Sequence, residues 1–212
     1  EDYKKILTAF RLGKIDVLIG TQMIAKGLHF PNVTLVGIIY ADLSLHMPDF
    51  RAGERTFQLL TQVAGRAGRG EVEGDVFVQS FTPFHAAIQY ARRHDYLGFY
   101  EQEMEFRKDT EYPPTSRMAM ITLKGKNEEK LKMSGTHLKS VIEGIRKEIK
   151  DLALAGPSPA PLERAENFFR YQIMLKTKRM SQLSRRLADI HQSTKLPEGV
   201  QTIIDIDPVS MH

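Results

Sequence analysis

The chain has 212 residues, 42% apolar and 26% charged, which is enough for a packed core and too apolar for general disorder. It carries 30 Lys and Arg against 26 Asp and Glu, a formal charge of +4, and no cysteine. Disulfides and thiolate-held zinc or iron–sulfur centres are therefore excluded, and no apolar run approaches the roughly 20 residues that a membrane span needs. The opening Glu1-Asp2-Tyr3-Lys4-Lys5 shows neither signal peptide nor initiator Met, which is read as a soluble, cytoplasmic chain cut from something longer.

In chain order, residues 1–12 predict a helix with Ile6, Leu7 and Phe10 on one face and Gly13 as its stop. Val17-Leu18-Ile19 predicts a short buried strand, and residues 33–40 a second, bounded by Pro31-Asn32. A helix over about 52–63 follows, with Phe57, Leu59 and Leu60 as core candidates, then a strand at Val76-Phe77-Val78. Apolar strands alternating with helices indicate an α/β unit, a parallel sheet covered on both faces. Pro83 opens a long predicted helix to about Lys108 whose aromatics Phe84, Tyr90, Tyr96, Phe99, Tyr100 and Phe106 suit interdomain core better than base stacking. Tyr112-Pro113-Pro114 ends it and marks a boundary. The expected division is 1–84, a connecting helix at 85–112, and a second domain at 113–212.

The second domain begins with an alternating strand over 117–124 and a helix capped by Asn127 that runs to about Lys150, with Leu131, Leu138, Ile142, Ile145 and Ile149 inward. A short strand at 152–155 leads into Gly156-Pro157-Ser158-Pro159-Ala160-Pro161, expected as a stiff loop outside the sheet. A strand over 169–175, a helix over 178–193 with Leu183, Leu187 and Ile190 inward, and a strand over 201–206 complete the order β-α-β-β-α-β. That is the α+β ferredoxin-like arrangement, which many functions share.

Charge is unevenly placed. Residues 1–85 hold nine basic and nine acidic residues, whereas 161–195 hold eight basic and three acidic. A basic stretch of this kind suits a polyanion or an acidic peptide, and equally a solvated surface. The seven histidines make no ligand cluster, and no metal site is expected. Asp205 and Asp207, two apart, are expected as a strand edge, not a catalytic dyad.

Two stretches carry chemistry. Gly20-Thr21-Gln22-Met23-Ile24-Ala25-Lys26-Gly27 follows a predicted strand, and Gln62-Val63-Ala64-Gly65-Arg66-Ala67-Gly68-Arg69 ends a predicted helix. Arginines three apart project from one turn and bind phosphate through planar paired hydrogen bonds, or stabilise a phosphoryl group in transit. A Gly/Arg-rich solvent loop is the other reading of the second stretch. The pair resembles motifs V and VI of superfamily 2 helicases. With Lys26-Gly27-Leu28-His29-Phe30-Pro31, Ala41-Asp42-Leu43, Pro48-Asp49-Phe50-Arg51-Ala52-Gly53-Glu54-Arg55 and Gln58-Leu59-Leu60-Thr61-Gln62, the chain resembles the primosomal protein N′ family of replication-restart helicases. Tyr112-Pro113-Pro114, residues 156–161, Phe169-Arg170-Tyr171-Gln172 and Asp205-Ile206-Asp207-Pro208 extend the resemblance to its C-terminal domain.

The resemblance implies part of the second RecA-like lobe of a 3′→5′ DNA helicase followed by the C-terminal domain, in a bacterial, cytoplasmic, nucleoid-associated protein. Arg66 and Arg69 would face the ATP γ-phosphate, with Arg69 as the finger. Gln62, Gly65 and Gly27 would bind or couple nucleotide, and Gly20, Thr21, Gln22 and Lys26 would line the DNA side. His29-Phe30 stands where many superfamily 2 helicases have a ribose-binding Asp, and no ribose role is assigned to His29. ATP and magnesium would serve the full-length protein, whose zinc-binding cysteines and phosphate-cradling loop lie outside these residues. Implied partners are single-stranded and forked DNA, other primosome proteins, and the acidic, apolar-ended tail of single-strand DNA-binding protein, held by Arg164, Arg170 and Gln172; no membrane is implied. A non-catalytic DNA- or protein-binding module and another superfamily 2 branch-migration helicase remain as alternatives.

Overall fold

The computed structural model describes residues 2–21, 33–65 and 74–211. They form two compact units, one of Glu1–Met47 with Arg51–Glu103 and one of Pro48–Phe50 with Met104–His212. No helix among the described residues is long and apolar enough to cross a membrane.

In the first unit α1 spans Asp2–Arg11, and Gly13 closes it at φ 69°, a left-handed conformation that glycine adopts without a Cβ penalty. β1 (Leu35–Ile38) and β2 (Asp75–Val78) pair in parallel, Leu35 opposite Asp75 and Ile38 opposite Val78. Between them α2 (Ala52–Ala64) buries Phe57 and Leu60, while Leu59 is half-buried. Two expectations fail here. Residues 17–19 join no ladder among the described residues, and Val17 and Ile19 are 70% and 88% exposed. A three-residue extended segment with no hydrogen-bonded neighbour has nothing to hold it as a strand. The parallel pair is also not covered on both faces: the helical layer reaches Ile38, but Leu35 and Phe77 stay exposed.

The single helix expected from Pro83 to Lys108 is two, α3 (Ala86–Arg92) and α4 (Tyr96–Asp109). His94 takes the left-handed conformation, φ 54°, and the amides of His94 and Asp95 donate back to the carbonyls of Ala91 and Tyr90, a Schellman-type stop. The Asp95 carboxylate then accepts the amide of Gly98 (2.8 Å), capping the start of α4. The break resets the helical period. Of the aromatics expected as core, Phe99 is buried, stacked 4.4 Å from Phe57, and Tyr90 is half-buried, but Phe84, Tyr96, Tyr100 and Phe106 are exposed.

The second unit contains β3 (Arg117–Gly125), α5 (Glu128–Gly144), β4 (Ala153–Ala165), β5 (Phe168–Thr177), α6 (Met180–Ser193) and β6 (Val200–Ile206). The sheet order is β4-β5-β3-β6, every pair antiparallel, which is the ferredoxin-like topology. The Asn127 side chain accepts the amide of Lys130 (3.0 Å) and starts α5. The helix ends at Gly144, earlier than expected, and a 3₁₀ turn over Ile145–Lys147 continues it, so Ile145 and Ile149 still reach the core with Leu131, Leu138 and Ile142. Ala119, Ile121 and Leu123 of β3 and Tyr171, Ile173 and Leu175 of β5 face the helices with Leu183, Leu187 and Ile190 of α6.

The proline-rich stretch corrects the sequence reading: it lies inside β4, not outside the sheet. β4 is an edge strand, and its register against β5 shifts between Ala155 and Ser158 and again between Pro159 and Arg164. Prolines are tolerated at an edge and at bulges because no neighbour needs their missing N–H. In the core, Ile142→Ala is expected to lower unfolding free energy by about 2–5 kcal/mol, whereas Ile203→Ala, on a side chain 59% exposed, is expected to change it by less than about 0.5 kcal/mol. Urea denaturation of the two variants checks this.

Candidate functional site

Two regions bear on function, one in each unit. In the first, the feature that fixes the local geometry is Asp42, in the 3₁₀ turn Ala41–Ser44 just after β1. Its side chain is fully buried. The carboxylate accepts from the Ser80 hydroxyl (2.6 Å), the Phe81 amide (2.7 Å), the Thr82 amide (3.0 Å) and the Thr82 hydroxyl. The Ala41 amide donates to the Gln79 carbonyl (3.0 Å) and the Gln79 amide to the Ile38 carbonyl (2.9 Å). Asp42 thus ties the carboxyl end of β1 to the carboxyl end of β2, the end of a parallel sheet where ligands ordinarily bind. Burial pushes its pKa up, but the hydrogen bonds to the charged form outweigh that and hold it well below the usual carboxylate range. A carboxylate so saturated is a clamp, not a proton acceptor.

α2 leads from this clamp to the arginine motif. Gly65 caps the helix, its amide donating to the Thr61 carbonyl (3.1 Å), and Gln62 is exposed on the last turn. Gly20 and Thr21 are exposed and outside any strand. Gln22, Lys26, Gly27, His29, Arg66 and Arg69 lie outside the described residues. Pro48–Phe50, between the two motifs in sequence, belongs to the second unit. There Phe50 stacks on Tyr112 at 4.7 Å, and the Arg107 guanidinium sits 5.0 Å over the Phe50 ring while donating to the Pro113 carbonyl (3.3 Å). Among the described residues no cluster of three His, Asp or Glu side chains could hold a metal ion.

The second region is the face of the ferredoxin-like sheet opposite the core helices; Met118 and Met120 of β3 are buried on it, and its side chains become more exposed toward Lys124 and Lys126. Alternation along β5 sends Tyr171 into the core, where its hydroxyl donates to Glu128 (2.8 Å), and sends Arg170 and Gln172 to the open face. Both are half-buried. Arg170 lies directly opposite Lys124 of β3, and Gln172 opposite Thr122. The Gln172 amide donates to the Met211 carbonyl (3.3 Å), so the chain's own last residues reach it. Arg164 is not brought to this pair. Its guanidinium sits 5.2 Å over Phe169, which alternation places on the Tyr171 side. At the other end, Lys176 lies 4.5 Å over the Tyr112 ring and donates to the Thr110 carbonyl, which closes that end. Asp207 pairs with Arg117 beyond the end of β6 while Asp205 stays exposed, so the two form no dyad.

Residues 1–71 match the helicase conserved C-terminal domain, and residues 108–209 match the primosomal protein N C-terminal domain. The replication restart protein PriA of Bacillus subtilis is 43% identical over 213 residues, 99% of this chain and 26% of that protein. PriA of Chlamydia muridarum is 38% identical over 97% of this chain and 27% of its own, and PriA of Rickettsia felis 40% over 94% and 30%. Together these matches span nearly the whole chain and support a C-terminal fragment of a PriA protein. The chain spans about a quarter of the length of the Bacillus relative.

Three features of these regions were not read from the sequence: the Asp42 clamp, the seat of Phe50 on Tyr112, and Lys124 opposite Arg170. Asp42 and Phe50 stood inside motifs that set them apart without a role. Because the folded pKa of Asp42 lies below its unfolded value, its contribution to stability is complete above about pH 4 and is lost as pH falls toward the folded value. Asp42→Asn sets an amide donor against hydroxyl and amide donors. Its thermal midpoint at pH 7 is expected to fall by at least about 4 °C, and the gap to the parent to narrow below about pH 4. Equal midpoints at pH 7 would count against the clamp.

Proposed function

We propose that the chain is the C-terminal part of an ATP-dependent 3′→5′ DNA helicase that recognises stalled forks and restarts replication by primosome assembly in the bacterial cytoplasm. The observation that carries this is the order of the two domains: a helicase C-terminal domain with its arginine motif, then the primosomal C-terminal domain. Bound ATP with magnesium would supply the phosphoryl group whose hydrolysis drives translocation. The donors this chain offers fit such a group, since guanidinium and carboxamide side chains pair with phosphate oxygens and nucleotide edges. Gln62 lies on the last turn of α2 and Gly65 ends it; Arg66 and Arg69 follow in the sequence. Arg66 holds the γ-phosphate and Arg69 stabilises the charge that develops on it, while Gly20, Thr21, Gln22, Lys26 and Gly27 link that event to the DNA side. Zinc belongs to parts of the protein beyond this chain.

In the C-terminal domain, Arg170 and Gln172 on the open face receive the acidic tail of single-strand DNA-binding protein. A basic strand face with an apolar surround suits carboxylates followed by an apolar end. The competing proposal is a non-catalytic binding module in which the lobe supports this face.

Activity measurements separate the two. In the complete protein, Arg69→Ala is expected to lower DNA-stimulated ATP turnover by about 10³-fold or more while nucleotide binding survives, because a finger acts on transition-state charge. A kcat within about tenfold of the parent would remove Arg69 from that role. The 212-residue chain alone is expected to hydrolyse no ATP, since its sequence holds no phosphate-cradling lysine loop. DNA-stimulated turnover by this chain would refute the placement. Arg170→Glu is expected to abolish binding of the tail peptide, and equal affinity would move that site elsewhere.

A further inference from the structure

The open sheet face has an unusual corner. Lys124 of β3 and Arg170 of β5 are directly opposite each other on it. Like charges in cross-strand register destabilise a sheet. No carboxylate lies within 4.0 Å of Lys124, Lys126 or Arg170 among the described residues. The acidic residue of β6 on this face, Asp205, sits opposite Met120, four residues along β3 from Lys124 and so roughly 13 Å away. The cations are nonetheless held in place. The Lys124 ammonium lies 4.5 Å from the centre of the Phe168 ring and that of Lys126 5.6 Å. An aromatic face attracts an ammonium group and fixes it without neutralising it. Phe168 therefore gathers two positive charges beside a third, and none of the three has a carboxylate within 4.0 Å among the described residues.

We propose that Lys124, Lys126 and Arg170, organised around Phe168, form the anion-receiving corner of this face, and that its occupant is an extended acidic peptide. The proposal rests on the reading of the open face as the site of an acidic tail, and names the groups that take its carboxylates. Charge complementarity selects an acidic partner, and the geometry selects a peptide over nucleic acid. Single strands are gripped by stacking bases on open aromatic faces, and the aromatic ring at this corner is already covered by ammonium groups. Side chains fixed before binding lose less entropy on contact, so a small corner can still bind a short peptide. Arg164, bound over Phe169, takes no part.

The test uses the 212-residue chain and a short labelled peptide rich in Asp and ending in Phe, followed by fluorescence anisotropy. Lys124→Thr and Lys126→Ala are each expected to weaken binding by about fivefold or more, and the double variant by more than about twentyfold; Lys150→Ala, the same charge loss on a different part of the surface, should leave affinity within about twofold. The thermal midpoint of Lys124→Thr should equal or exceed the parent's, because the change removes a like-charge pair. A merely structural Lys124 would lower it. If Arg170→Glu loses the peptide but the double lysine variant keeps parental affinity, this proposal fails and the tail reading stands. If Arg170→Glu also binds as the parent does, both fail. Tight binding of oligothymidylate with a steep salt slope, and none of the peptide, would overturn the proposal in favour of a phosphate-contact surface.

Discussion

Strict two-residue alternation along β3 and β5 is the constraint on which the C-terminal domain depends. These are the two central strands of the sheet, and each side chain on them is committed to one face or the other. Ile121, Leu123, Tyr171, Ile173 and Leu175 go to the helix side and make the core. Lys124, Arg170 and Gln172 go to the open side. A slip of one residue in the β3–β5 register would bury the cations and expose the core. Stability on one face therefore enforces the placement of charge on the other. Tyr171 shows the coupling in one side chain: its ring is packed, its hydroxyl donates to Glu128, and Glu128 is in turn paired with Lys132, so the residue between Arg170 and Gln172 is anchored to the start of α5.

The first unit solves a different problem with the same economy. A two-stranded parallel pair of four residues each has few ladder bonds of its own. Asp42 adds a side-chain lock between the two strand ends, and the Phe57–Phe99 stack fastens α2 to the start of α4. The lock lies at the carboxyl ends of the strands. α2 packs on the same turn and carries the chain toward the arginine motif.

How far the sequence foretold this follows from the kind of signal each feature leaves. β3, β5, α5 and α6 were legible because their apolar periods are long and uninterrupted and because Asn127 is a clear cap. The break between α3 and α4 was not, since it uses His94 in a left-handed turn and no Gly or Pro marks it. The course of β4 through its prolines was illegible for a related reason: whether proline is tolerated depends on the strand being an edge, which is a property of the sheet and not of the segment. Residues 17–19 looked like a strand because three apolar residues fit any extended pattern, and pairing, not composition, decides. At the site, Arg170 and Gln172 could be placed on one face by counting alone. Lys124 could not be set against Arg170 without the β3–β5 register, and Arg164 could not be moved away without the Phe169 ring.

The two edges of the sheet also bear on where a partner can approach. β4 is blunted by three prolines and two register shifts, the usual protection of an edge against pairing with another chain. Its neighbour β5 presents the cationic corner near the turn that joins the two strands, at the β4 side of the sheet. A partner held there by main-chain pairing would meet prolines that cannot donate. One held by side-chain charge meets no such obstacle. Salt should then act on this domain in two opposite ways. It screens the repulsion between Lys124 and Arg170, which favours the free fold, and it screens the attraction for an acidic partner, which weakens the complex. A surface whose own stability rises while its affinity falls with ionic strength is one whose charge has been placed for binding at some cost to the fold.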